Sequence, residues 1–190
     1  EEITYTTNED NKTLCITGYT NDNKIIRIPE SFKVAENEYT VTCIKGTGEY
    51  PATYVAAFRE KALEHVLLPE TLEHVGKFAF SYNPMLTEVT IPINVKELDH
   101  GAFSNCDGLI DIYYNAKRAV AIRDNKYNND PYVFTHSKLG YNVHIGSEVE
   151  IIPSRVFTQS SRVSNALATK RVIFEEGSIC QTIDSNAFQK

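Results

Sequence analysis

The sequence predicts a repeat solenoid: β-rich, with short helical turns and a β-hairpin cap at the N-terminus. Three observations predict it. First, two adjacent stretches repeat with a period of 23. Leu63, Leu86 and Leu109 lie 23 apart, as do Val66, Val89 and Ile112, Pro69 and Pro92, and Phe80 and Phe103. A fixed period of about 20–50 residues marks units that each lay an apolar face on the next, because one unit cannot bury that face alone. Second, the pattern Leu-x-x-Val-x-Leu-Pro within each unit alternates as a strand does. The proline then ends the strand, since it cannot donate to a following ladder. Third, 190 residues with 42% hydrophobic and 23% charged residues are ordinary for one globular domain, or part of one.

Residues 3–19 carry two β-prone runs around the turn-forming Asn8-Glu-Asp-Asn11, which predicts a hairpin. A hairpin there covers an end of the solenoid that would otherwise expose core. Cap and repeats divide at 1–22 and 23–190. About six repeats are expected, with insertions near 33–57, 115–132 and 158–170. The first repeat is long: Ile26-Arg-Ile28-Pro29 matches Val66-Leu-Leu68-Pro69, and Ala57-Phe58 closes it after an extra strand around Tyr39–Thr42. Repeats two and three are the clean pair. Repeat four starts at Leu109 and carries the polar insertion 123–131; repeat five spans Tyr141 to Phe157; repeat six starts at Arg171. The Gly76-Lys-Phe-Ala-Phe-Ser-Tyr-Asn83 stretch suits a short helical or turn segment. Glu1 in place of an initiator methionine implies a processing or expression boundary, and the array is expected to be part of a longer one.

The motif Leu-x-x-Val-x-Leu-Pro-x-x-Leu-x-x-Val-Gly-x-x-Ala-Phe resembles the leucine-rich repeat of bacterial surface antigen A, the BspA-like type. Leu109–Lys117 and Val143–Pro153 are similar to segments common in that family, and the likeness spans roughly residues 20–190. Asp99 and Ser185 depart from the pattern at the place of Gly76, and Asn115, Gly146 and Glu175 at the place of the strand-ending proline. The resemblance implies a right-handed solenoid, secreted or displayed on a bacterial cell surface. It also implies adhesion to host extracellular proteins, and it carries no shared catalytic motif.

Composition and motifs narrow the function further. A net charge of −6 and a pI near 5.4 argue against nucleic acid and against an anionic membrane surface, both of which require a basic face. No apolar run approaches the roughly 20 residues of a membrane helix. His65, His74, His100, His136 and His144 make no metal-binding spacing, and there is no GxSxG elbow and no phosphate-cradling glycine loop. Cys106 has acidic Asp107 beside it, which raises its pKa rather than activating it. The reading is therefore a non-enzyme with no cofactor and no metal. Cys15, Cys43, Cys106 and Cys180 are even in number; buried single thiols are the favoured reading and the disulfide state stays open.

A repeat places one residue per unit in each column of the sheet face. One column is Glu64, Thr87 and Ile110. The next is His65, Glu88, Asp111 and Asn142; the third is Leu67, Thr90, Tyr113 and His144. Aromatics amid carboxylates make good protein anchors. The expected partner-binding set is therefore Leu67, Glu88, Thr90, Asp111, Tyr113, Tyr141 and His144, with Tyr127 from the 123–131 insertion. The plain alternative is an ordinary solvated face and a tolerated insertion. Two functions remain: adhesion to another protein or glycan, host matrix included, and a spacer that displays another domain.

Overall fold

The computed structural model describes residues 2–47, 55–123, 132–134, 137, 139–158 and 169–188. Its strands, in chain order, begin with β1 (Ile3–Thr7), β2 (Thr13–Tyr19), β3 (Ile25–Arg27), β4 (Ser31–Val34), β5 (Asn37–Ile44), β6 (Gly46–Thr47) and β7 (Val55–Ala56). Then come β8 (His65–Leu67), β9 (His74–Val75), β10 (Glu88–Ile91), β11 (Glu97–Asp99), β12 (Asp111–Tyr114) and β13 (Val120–Ile122). The last are β14 (Tyr141–Ile145), β15 (Ile151–Ile152), β16 (Thr169–Phe174) and β17 (Thr182–Ile183).

Each unit contributes two strands to two different ladders. The Leu-x-x-Val-x-Leu strands β10, β12, β14 and β16 pair in parallel, in that order. Equivalent residues lie opposite one another: Val89 on Ile112, Ile112 on Val143, and Val143 on Val172. The second apolar pair of the units up to β13 makes a second parallel ladder, β9, β11 and β13, which continues through β5 to the antiparallel hairpin β1–β2, while β15 pairs separately with β17. The hairpin is thus joined to the repeats by shared backbone hydrogen bonds. Cys15 and Cys43, on paired strands β2 and β5 with Cα atoms 4.5 Å apart, are joined as a disulfide. This corrects the free-thiol reading for that pair; the parallel register brings together two cysteines 28 residues apart.

Between the ladders run the inward rows. Leu63, Leu86 and Leu109 are all buried, as are Val66, Val89, Ile112 and Val143. Along the opposite edge Phe58, Phe80, Phe103 and Phe134 stack face to face with centroids 5.1 Å apart at each step, nearly parallel. Phe157 and Phe188 extend the row at 5.6 and 5.2 Å, and Tyr19 of the hairpin meets Phe58 at 5.4 Å. Beside the rings, buried Asn83 accepts the N–H groups of Lys61 and Leu63 and donates to the carbonyls of Phe58 and Phe80. Cys106 and Ser137 stand at the same place in later units. Cys106 Sγ donates to the Phe80 carbonyl, and Ser137 Oγ to that of Leu109.

The short helical turns expected between strands are not helices: the described residues are strands, turns and bends. Two causes act together. The residue before the Ala-Phe or Val-Phe pair has positive φ at Phe78, Gly101, Arg155 and Asn186. One left-handed residue interrupts a right-handed helix. In addition, alternate N–H groups leave the turn and bond to the next coil, Phe80 to the Ala102 carbonyl and Tyr82 to that of Ser104. Those donors are unavailable to the i−4 carbonyls an α-helix uses.

Candidate binding face

The exposed sides of β8, β10, β12, β14 and β16 alternate with the inward rows, since successive side chains of a strand point to opposite faces. The register places the expected residues in rows. Glu88 lies opposite Asp111, Asp111 opposite Asn142, and Asn142 opposite Arg171. Two residues along, Thr90 lies opposite Tyr113, Tyr113 opposite His144, and His144 opposite Ile173. Leu67 is exposed on β8, which pairs with β3, and His65 Nδ1 on β8 comes 4.0 Å from Glu88 Oε1.

At the middle of this face four side chains form one cluster. Asn142 Nδ2 and His144 Nε2 each lie 2.9 Å from Asp111 Oδ1. These two hydrogen bonds, that from Asn142 first, hold the Asp111 carboxyl below the usual carboxylate range. The His144 ring stacks on Tyr113 at 4.5 Å with planes 20° apart. Asp111, Tyr113, Asn142 and His144 are each partly exposed. The cluster depends on a repeat of 31 residues between Asp111 and Asn142, and between Tyr113 and His144. Sequence reasoning placed all four in columns but did not count Asn142, which bonds Asp111, among the binding residues.

Two expected residues do not join the face. Tyr141 is buried, only 2% exposed, with its hydroxyl 3.3 Å from the carbonyls of Phe134 and Phe157. The reason lies one residue earlier. Gly140 occupies the row of Leu63, Leu86 and Leu109 with φ of +70° and no side chain. Tyr141 turns inward to fill that volume, and the ladder slips beside it between Tyr141 and Asn142. Its phenol pKa is raised by burial. Tyr127 lies outside the described residues, as does most of the 123–131 insertion.

Chemistry elsewhere is structural. Cys106 is fully buried, and burial pushes its thiol up to about 12. Among the described residues no three His, Cys, Asp or Glu side chains are grouped to hold a metal ion. Among the same residues no helix is long and apolar enough to cross a membrane, which says nothing of a β-barrel.

Parallel ladders in repeat register, aligned leucine rows and a polar ladder beside them define a leucine-rich repeat protein. A model of the BspA-type leucine-rich repeat region matches residues 52–190 in six copies, so the chain belongs to that family. Repeats of this kind are generally non-catalytic. Two solved structures are similar. One is a leucine-rich repeat protein from Bacteroides ovatus, 20% identical with a TM-score of 0.59, covering 96% of this chain and 45% of its own. The other is a leucine-rich cell surface protein from Faecalibacterium prausnitzii, 22% identical with a TM-score of 0.56, covering 99% and 44%. The likeness is one of fold. This chain spans less than half the length of either. No curated protein matches it.

Proposed function

We propose that the chain is part of a non-catalytic, secreted or surface-displayed right-handed solenoid that adheres to another protein through the exposed face of β8, β10, β12 and β14. The single observation that carries this reading is the ordered cluster of Asp111, Tyr113, Asn142 and His144 beside exposed Leu67 and Thr90. Such cross-strand pairs stabilise the sheet on any face. A binding face gains further, because side chains already fixed lose less entropy on association. The Cys15–Cys43 disulfide supports an oxidising compartment, and one structural neighbour is described as a cell surface protein. Host extracellular matrix proteins are the partners we propose.

The test is capture of soluble chain on a panel of immobilised matrix proteins, with Leu67→Ala/Tyr113→Ala beside it. The double variant should lose about tenfold or more in affinity, as loss of one hot-spot anchor does, while keeping its cooperative unfolding. Capture unchanged by the double variant would move the site off this face. No capture by either would favour the spacer.

A further inference from the structure

We propose that Glu88, Asp111 and the open side of the Tyr113 ring form a seat for an arginine side chain of the partner protein; this rests on the adhesive-face reading above. Three observations on the face meet at this point.

The first is a pair of facing carboxylates. Glu88 and Asp111 stand directly opposite on neighbouring parallel strands, about 4.8 Å apart in the hydrogen-bonding direction. Like charges opposite one another in a sheet are destabilising. Among the described residues Glu88 is paired with His65 at 4.0 Å and Asp111 with His144 at 2.9 Å. The basic residue in this row, Arg171, is separated from Asp111 by Asn142. A cation between the two carboxylates would relieve the repulsion.

The second is the way Asp111 is held. Both of its hydrogen bonds fall on Oδ1. Among the described residues Oδ2 is left without a partner, and the carboxylate is fixed in place from the β14 side. A fixed carboxylate with one free oxygen suits a charge-assisted hydrogen bond from an incoming donor.

The third is the aromatic surface. His144 covers one side of Tyr113. The other side turns toward β10, where the register places Thr90. That short side chain supplies no ring to that side of Tyr113. A planar cation lying over the threonine would stack on the ring. Guanidinium stacks on aromatic faces and donates in a fork, which a lysine ammonium does not.

The experiment titrates L-argininamide into isotope-labelled protein and follows the backbone and aromatic NMR signals, with L-citrullinamide as the neutral isostere. The expected result is saturable shifts confined to Glu88, Thr90, Asp111 and Tyr113 with argininamide. Citrullinamide should give none, and Asp111→Asn should bind argininamide about tenfold more weakly, as expected for a charge-assisted hydrogen bond. Equal binding of citrullinamide, non-saturating shifts, or an unchanged response in Asp111→Asn would overturn the seat.

The two readings fail separately. A matrix protein captured in a Leu67- and Tyr113-dependent way, yet held equally by Asp111→Asn, removes the seat and leaves the face. Saturable argininamide binding without capture of any matrix protein keeps the seat and removes the matrix reading.

Discussion

The two ends of the repeat stack treat the same kind of side chain in opposite ways. At the N-terminal end the hairpin lies against the first repeat, and Leu14, Ile16, Val41 and Ile44 are wholly buried. At the C-terminal end Val172 is 37% exposed, Phe174 44% and Ile183 53%. Their register partners one coil earlier, Val143, Ile145 and Ile152, are fully buried. The residue types are alike; the neighbours differ. Burial in this protein belongs to the contact between coils and not to the repeat sequence itself. Stability is then a sum of coil-to-coil interfaces, as expected for a chain whose units touch only their neighbours.

Perturbing equivalent positions along the stack sharpens that contrast. The largest effect belongs to the ring row. Phe103 is stacked on both sides, and Phe103→Ala should cost about 3–5 kcal/mol as a core truncation. Phe188 has one ring neighbour and is only half-buried; Phe188→Ala should cost about 1 kcal/mol, by the smaller area it withholds from water. Urea unfolding of both variants checks the pair, and equal losses would contradict an interface-based stability.

Next in size is the covalent tie at the capped end. Opening the Cys15–Cys43 bond frees a loop of 28 residues, worth about 3.5 kcal/mol in the chain-entropy account. Reduction, or Cys15→Ala/Cys43→Ala, should shift the urea midpoint accordingly. Hydrogen exchange should quicken first in β1, β2 and β5 and leave β12 and β14 protected.

Ile152 and Ile183 offer a matched pair in one two-stranded ladder. Ile152→Val should cost about 1 kcal/mol, and Ile183→Val a few tenths at most, since half its surface already faces water. Thermal unfolding resolves the two.

The smallest effect is electrostatic and depends on pH. His74 Nε2 lies 3.0 Å from Asp99 Oδ2 across β9 and β11. The Asp99 carboxylate beside it raises the imidazole pKa, outweighing the opposing effect of burial. A raised folded pKa gives stability that is full below the ordinary imidazole value near 6.5 and is lost as pH rises through the folded value. His74→Gln should therefore lower the melting temperature more at pH 5 than at pH 9. A difference of the opposite sign would show that His74 is held neutral.

Much of this architecture is legible in the sequence, and the failures have physical causes. The leucine and valine rows, the phenylalanines and the columns of the exposed face follow from a period of 23 and the alternation of a strand. The Ala-Phe turns were misread because local propensity does not show that alternate N–H groups bond across coils. Tyr141 was misread because a column argument follows positions, and here a glycine at the preceding position vacates a leucine-sized volume. The ladder beside the rings was missed because its members, Asn83, Cys106 and Ser137, share hydrogen-bonding to main-chain carbonyls and not residue identity. The columns aligned Asp111 with Asn142 and Tyr113 with His144 across the insertion, but position alone does not show that Asn142 and His144 both bond Asp111 Oδ1.

The stacked phenylalanines also act as a ruler. Phe80 and Phe103 are 23 residues apart, Phe103 and Phe134 are 31, yet both ring pairs keep the same 5.1 Å spacing. Coil height is thus set by the spacing of hydrogen-bonded strands, roughly 4.8 Å, which the rings follow, and is independent of how much chain these coils contain. The exposed face keeps its pitch across the longer coil, with Asp111 opposite Asn142 and Tyr113 opposite His144. Loop content can therefore change from one member of such a lineage to another without moving the residues a partner would meet.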